Sequence, residues 1–370
     1  MSATAAPAAK PTTAPAQPSA TSTSPSGGRA FTVLGSGDVL LHDALWAQAK
    51  RDARAAGKSG YDFDPLFASL KPVIAAADLA VCHLETPVGP PNGPFSSYPI
   101  FSVPPQVVPT LANLGYDTCS TASNHSLDTG ERGIGRTLDA LDAADIQHTG
   151  TARSSKEARR VNMLTVNGVK VAQLSYTFSF NGLRLPHGKD WLANYLRADD
   201  VLAAAKRAKR AGAEVVIVSI HWGSEYRQTP NGHQLSLARQ LLASPDIDLI
   251  LGHHAHVVQP LEKIGHKWVA YGMGNQVAWQ NFSDVTRDGI MPRFTFTEVK
   301  PGSFRVTRVE VIALHMWLQT GFARVYDVGA VLASRSASGS LKRACAASLA
   351  RTKRVLGQRG AFEDGLVLLG

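Results

Sequence analysis

The chain has 370 residues, 44% hydrophobic and 18% charged, with a formal net charge of +9. That length suits one large domain or two ordinary ones, and the composition is that of a soluble globular protein. No window approaches 18 uninterrupted apolar residues, which argues against a membrane-spanning helix.

Residues 1–30 are almost entirely Ala, Pro, Thr, Ser and Gly and hold five of the 21 prolines. Such a stretch buries too little apolar area to offset its ordering entropy, so a disordered linker is expected. The N-terminus lacks the apolar core of a signal peptide. Linkers of this kind often tether exported bacterial domains, so the expectation is a cell-envelope or extracellular protein whose export signal has been removed; a cytoplasmic protein is the alternative.

Phe31–Leu34 reads as a strand feeding Gly35-Ser36-Gly37-Asp38, followed by helical sequence at Ala44–Ala56. Asp64-Pro65 marks a helix start, with Asp64 as N-cap. Leu79–Leu84 is a buried strand ending at Glu85-Thr86-Pro87, and the Pro-rich segment 87–105 is long enough to fold over a site. A helix at Val107–Leu114 and a strand at Tyr116–Thr121 lead to Ser123-Asn124-His125. Gly130–Ala144 is a short amphipathic helix. Val161–Val166 and Val169–Tyr176 form a hairpin about Asn167-Gly168.

Asp199–Ala211 is helical, and Glu214–Ile220 is a strand that ends on His221-Trp222-Gly223. A helix near Gln234–Leu242 precedes the strand Ile247–Leu251, which runs into Gly252-His253-His254-Ala255-His256. Strands are expected at Val257–Ile264, Lys267–Tyr271, Phe294–Val299 and Phe304–Ile312. Between residues 320 and 360 there are eight Lys/Arg against one Asp, consistent with a basic helical C-terminal extension over 320–370. That charge suits either an anionic partner or a solvated helix face. Cys82 and Cys119 lie in apolar strands, where a small buried hydrophobe is the expected role. Strand–helix alternation followed by antiparallel strands indicates an α/β sandwich.

Metal-type side chains recur at strand ends: Asp38, Glu85, Asn124-His125, His221, then His254 and His256. Each has an ordinary reading alone; H-x-H is often a surface loop, and Asp after glycine is often a turn residue. Together they make a two-metal set. Asp38 and His256 would serve one ion, Asn124, His221 and His254 the other, with Glu85 bridging. The mixed imidazole–carboxylate chemistry favours two divalent ions of Mn, Fe or Zn. In an extended segment His254 and His256 project to one side, which makes His253 the spare histidine. His125 is placed to move a proton or hold an oxyanion.

The sequence resembles the CapA-type poly-gamma-glutamate capsule synthesis proteins, within the calcineurin-like metallophosphoesterase superfamily. The resemblance is carried by G-S-G-D-V-L-L-H (35–42), C-H-L-E-T-P (82–87), S-N-H-S-L-D (123–128), H-W-G-S-E-Y (221–226), G-H-H-A-H-V (252–257) and G-M-G-N (272–275). It implies a four-layer α/β/β/α sandwich of the metallo-dependent phosphatase type over 31–319, with a dinuclear site. It also implies Asp38, Glu85, Asn124, His221, His254 and His256 as ligands, and His125 as the histidine that assists catalysis. Two positions depart from the superfamily pattern: Leu40 stands where a histidine is usual, and Glu85 where an aspartate is. His42, His83, Glu225, Tyr226 and Asn275 are candidates for substrate contact or for orienting a ligand.

Two functions follow as expectations. One is a metal-dependent hydrolase of a phosphoester, or of an amide in an anionic polymer such as poly-gamma-glutamate. The other is a non-catalytic envelope component that binds anionic polymer or membrane-bound synthase partners. A phosphorylated small molecule remains an alternative substrate. No nucleic-acid partner is expected, because the pI of about 9.5 comes without a recognisable binding motif.

Overall fold

In a computed structural model, residues 28–370 are described; most of the expected linker lies outside them. Residues 28–30 already belong to the folded body, since the Arg29 guanidinium pairs with Glu298 and Glu214. The strands in chain order are β1 (Ala30–Val39), β2 (Leu79–Leu84), β3 (Thr118–Ser120), β4 (Gln147–Thr149), β5 (Asn162–Val166), β6 (Val169–Thr177), β7 (Val215–His221) and β8 (Leu249–His253). They continue with β9 (Leu261–Ile264), β10 (Lys267–Ala270), β11 (Asn275–Val277), β12 (Asp288–Lys300), β13 (Ser303–Gln319), β14 (Phe322–Asp327) and β15 (Leu366–Leu369).

Two sheets result. The first runs β14-β13-β12-β1-β2-β3-β4, with β11 added beside β1 and β15 beside β13; the second runs β5-β6-β7-β8-β10-β9. Strands β1 to β4 are mutually parallel, as are β6, β7, β8 and β10. The β5–β6 hairpin turns on Asn167 (φ 49°) and Gly168 (φ 77°), the paired left-handed backbone that an Asn-Gly turn supplies at little cost.

Phe31, Val33, Val81, Val171, Ile217, Leu249 and Phe294 fill the space between the sheets. Apolar faces of the helices Asp43–Ala55, Val107–Leu114 and Gly130–Ala143 cover the outside of the first sheet. The helices Ala198–Arg210 and Gly232–Ala243 cover the second. Helix, sheet, sheet and helix therefore stack as a four-layer α/β/β/α sandwich. Among the described residues no helix is long and apolar enough to cross a membrane.

Several expectations need correction. Segment 320–370 is not only helical: β14 pairs antiparallel with β13, β15 pairs parallel with it, and the helix Gly339–Leu356 packs against β13. Its apolar residues Leu341, Cys345, Val355 and Leu356 recur near helical spacing in the sequence and are buried against the body. Cys82 and Cys119 are buried as expected, but they are joined as a disulfide across in-register positions of β2 and β3. Asp64 is the first helical residue rather than the cap, and its carboxylate accepts from Thr110 Oγ1 at 2.5 Å. Val257–Pro260 is not strand; a proline with no N–H to donate sits just before β9.

A candidate dinuclear metal centre at the strand ends

The carboxyl ends of β1, β2, β3, β7 and β8 converge, so side chains from both sheets meet at one edge of the sandwich. Gly37 permits the approach of β1, because a Cβ there would lie 2.1 Å from Gly274 O. Asp38 follows at a register shift, donating its own N–H to Gly274 O at 2.9 Å. Gly252 does the same for β8, where a Cβ would lie 2.0 Å from Tyr271 O.

Asp38, Glu85, Asn124, His221, His254 and His256 are all brought together and all buried. On one side, Asp38 Oδ2 lies 3.2 Å from His256 Nδ1. On the other, His221 Nε2 lies 2.9 Å from Asn124 Oδ1 and 3.1 Å from His254 Nδ1. Glu85 stands between: its Oε1 is 3.6 Å from His256 Nε2 and 4.0 Å from His221 Nε2. Both Glu85 oxygens are buried without a hydrogen-bond partner. A carboxylate so placed is costly unless a cation completes it, and the surrounding donors are those of a transition-metal site. The residues fit the implied ions.

Electrostatics agree. Burial pushes His221 and His83 well below the ordinary imidazole range and His254 down to about 3, which keeps these rings neutral. Burial would also raise Asp38, but contacts from His253 and His256 outweigh it and hold Asp38 well below the usual carboxylate range. For His256, burial is overcome by Glu85 and Asp38, which raise it to about 9. Burial drives Glu85 well above the usual carboxylate range, against the pull of His256.

The pair His254 and His256 does not act through strand alternation. Both lie beyond the end of β8 with φ of 86° and 54°, strained backbone for non-glycine residues. His253 is not spare: it ends β8, is buried, and sets Nδ1 3.2 Å from Asp38 Oδ1. His83 stacks on His253 at 3.9 Å and bridges Ser120 Oγ (2.8 Å) and His221 Nδ1 (3.0 Å). That chain orients His221 so that Nε2 faces the site. Position parity pointed away from His253, and only its place beside two ligand-type histidines could have flagged it.

His125 sits at the mouth with Nδ1 2.8 Å from Asp128 Oδ2, which also accepts from the Phe101 N–H at 2.7 Å. Asp128 thereby ties the Pro-rich segment to the site, which no sequence signal indicated. Asn275 is buried behind His256, with Oδ1 3.0 Å from His256 Nδ1, so it braces that ring rather than reaching outward. His42 accepts from the Trp279 N–H at Nδ1 (3.2 Å), and burial takes it down to about 4. Leu40 lines the cleft in place of a ligand. The cleft above the site encloses about 670 Å³, and its walls include His42, Tyr98, His125, Glu225, Tyr226 and Phe282.

Residues 32–280 match the family described as "Bacterial capsule synthesis protein PGA_cap", and the chain belongs to that family. It is 28% identical over 252 residues to the "PGA biosynthesis protein CapA" of Bacillus subtilis, covering 67% of this chain and 65% of the relative. It is 28% identical over 242 residues to the "Capsule biosynthesis protein CapA" of Bacillus anthracis, covering 63% and 58%. The chain thus spans less than two thirds of the length of these curated relatives. Among solved structures, it is similar to the calcineurin-like phosphoesterase YfkN from Bacillus subtilis, at 16% identity and a TM-score of 0.40, covering 88% of this chain and 97% of that one.

Proposed function

We propose that this chain is a metal-dependent hydrolase acting in the biosynthesis of a poly-gamma-glutamate-type capsule. The observation that carries the reading is Glu85, two buried and unpartnered oxygens set between two groups of ligand-type side chains. Asp38 and His256 would hold one divalent ion and Asn124, His221 and His254 the other, with Glu85 between them available to both. Mn, Fe and Zn suit this donor set. Bound ions supply an activated water and polarise the scissile phosphoryl or carbonyl group.

The remaining steps belong to the chain. Asp128 holds His125 Nδ1, which leaves Nε2 to give a proton to the leaving group at the cleft mouth. His83 and His253 fix the rings and carboxylate behind the ligands. The relatives named for capsule and PGA biosynthesis support an anionic-polymer setting and capsule-synthase partners. The Cys82–Cys119 disulfide supports an oxidising compartment, hence the cell envelope.

His125→Ala tests the reading. The variant should retain its metal and lose about 10²–10⁴-fold in turnover of whichever phosphoester or γ-glutamyl amide the wild type cleaves. Undiminished turnover in the variant rejects the role of His125.

A second reading has one observation in its favour. The helix Gly339–Leu356 carries Lys342, Arg343, Arg351, Lys353 and Arg354 with no carboxylate. A non-catalytic polymer-binding component would stay silent in every hydrolysis screen and bind polyglutamate in a chelation-independent, salt-sensitive manner.

A further inference from the structure

We infer that the cleft over the metal residues is a subsite for an ammonium group, held by Glu225 against the rings of Tyr226 and Phe282. On the hydrolase reading, on which this rests, the substrate then presents a free amino end next to the bond that breaks.

The lining of the cleft carries the inference. Its floor is Asn124, His125 and His256, and no lysine or arginine lines it among the described residues. A phosphate or carboxylate beside the reacting centre is ordinarily met by a guanidinium fork or an ammonium. The fixed charge here is the opposite one. Glu225 is exposed on the wall, with a carboxylate oxygen within 4.8 Å of ring nitrogens of both His254 and His256.

The rim is aromatic. Of eight exposed large hydrophobic side chains among the described residues, four line this one cleft: Tyr98, Ile100, Tyr226 and Phe282. Scattered surface apolar residues need no explanation, but this concentration does. Tyr226 also has φ 61°, a left-handed backbone that strains a bulky residue. Its N–H donates to Ala255 O at 2.8 Å, in the histidine loop itself. That backbone puts the ring 5.0 Å from Phe282, edge to face, and 6.1 Å from His256.

Ring faces and an exposed carboxylate attract a cation. A neutral sugar would stack on the rings but gain nothing from the charge of Glu225. A carboxylate would meet the like charge of Glu225 on this wall before it reached the histidines of the floor. In a γ-linked glutamate polymer every residue carries a free α-carboxylate, and only the amino-terminal one adds an ammonium on the same carbon. The cleft therefore selects the amino end of such a chain.

Calorimetric titration of the metal-loaded full chain tests this with three probes: γ-linked triglutamate with a free amino end, its N-acetylated form, and N-acetylchitobiose. The free form should bind about tenfold tighter than the acetylated form. Glu225→Gln should reduce that preference to about twofold or less, and Phe282→Ala should weaken the free form about threefold. The inference is overturned by equal or tighter binding of the acetylated form or the sugar. A preference that survives Glu225→Gln, or no binding of any probe, overturns it too. Product formation in the same samples keeps the two claims apart. Amine-selective binding without cleavage sinks only the hydrolase reading, whereas cleavage without amine preference sinks only the subsite.

Discussion

Replacing Glu85 by glutamine keeps the shape of the side chain and removes its ability to ionise, and the outcome differs with and without metal. In the metal-free wild type, Glu85 keeps two buried oxygens without partners. Each such group costs about 1–3 kcal/mol, more when charged. Each ion at about 100 times its dissociation constant adds about 2.7 kcal/mol, so two ions add about 5 kcal/mol. For a body of about 340 residues the unfolding entropy is about 0.7 kcal/mol/K, so chelation should lower the wild-type Tm by about 7 °C. In Glu85→Gln the chelation shift should shrink to about 2 °C or less, for want of the bridge. In chelator, the variant should melt within about 3 °C of the wild type, because burial already drives the metal-free Glu85 towards its neutral acid. Thermal scans of both proteins, with chelator and with Mn or Zn restored, read all four values. A metal-free variant melting several degrees below the metal-free wild type would show that the carboxylate is structural, and an unchanged chelation shift would show that it does not bridge.

Two further outcomes concern the body around the site. The Cys82–Cys119 disulfide closes a separation of 37 residues, worth about 4 kcal/mol by chain entropy, so Cys82→Ala/Cys119→Ala should lower the Tm by about 5 °C under oxidising conditions. An unchanged Tm would remove the bond from the account. Buried Asp288 is held by His315 at 3.0 Å and by Arg351 at 2.7 Å; burial would raise its pKa, but these contacts outweigh it and depress it. Its contribution is therefore fully present above the unfolded carboxylate value and lost as pH falls through the lower folded one. Asp288→Asn should cost about 3 kcal/mol near neutrality, at the low end for a buried pair because Arg351 is one-fifth exposed. In denaturant titrations that cost should shrink below about pH 4; a pH-independent cost would contradict the pairing.

Much of the site was legible because each ligand-type residue follows an apolar run and so falls at a strand end. Asp38, Glu85, Asn124, His221, His254 and His256 could be gathered before their distances were known. What stayed hidden depends on contacts between distant elements. His253 was set aside by parity, yet the chain leaves strand geometry at His254, and parity stops applying there. The partnership of Asp128 with both His125 and Phe101 joins two loops, and no spacing encodes it. The two cysteines are 37 residues apart, and only the pairing of β2 with β3 makes them neighbours. Positive charge drew attention to 320–370 and away from the alternating Phe322–Asp327, which is a full partner in the first sheet.

The central claim is that six residues hold two ions, and the metal content of protein reconstituted with Mn or Zn and then desalted measures it directly. The wild type should retain about two ions per chain, and Asp38→Ala and His221→Ala, each stripping one side of Glu85, about one each. A wild type that holds one ion or none, or variants that keep both, would contradict it.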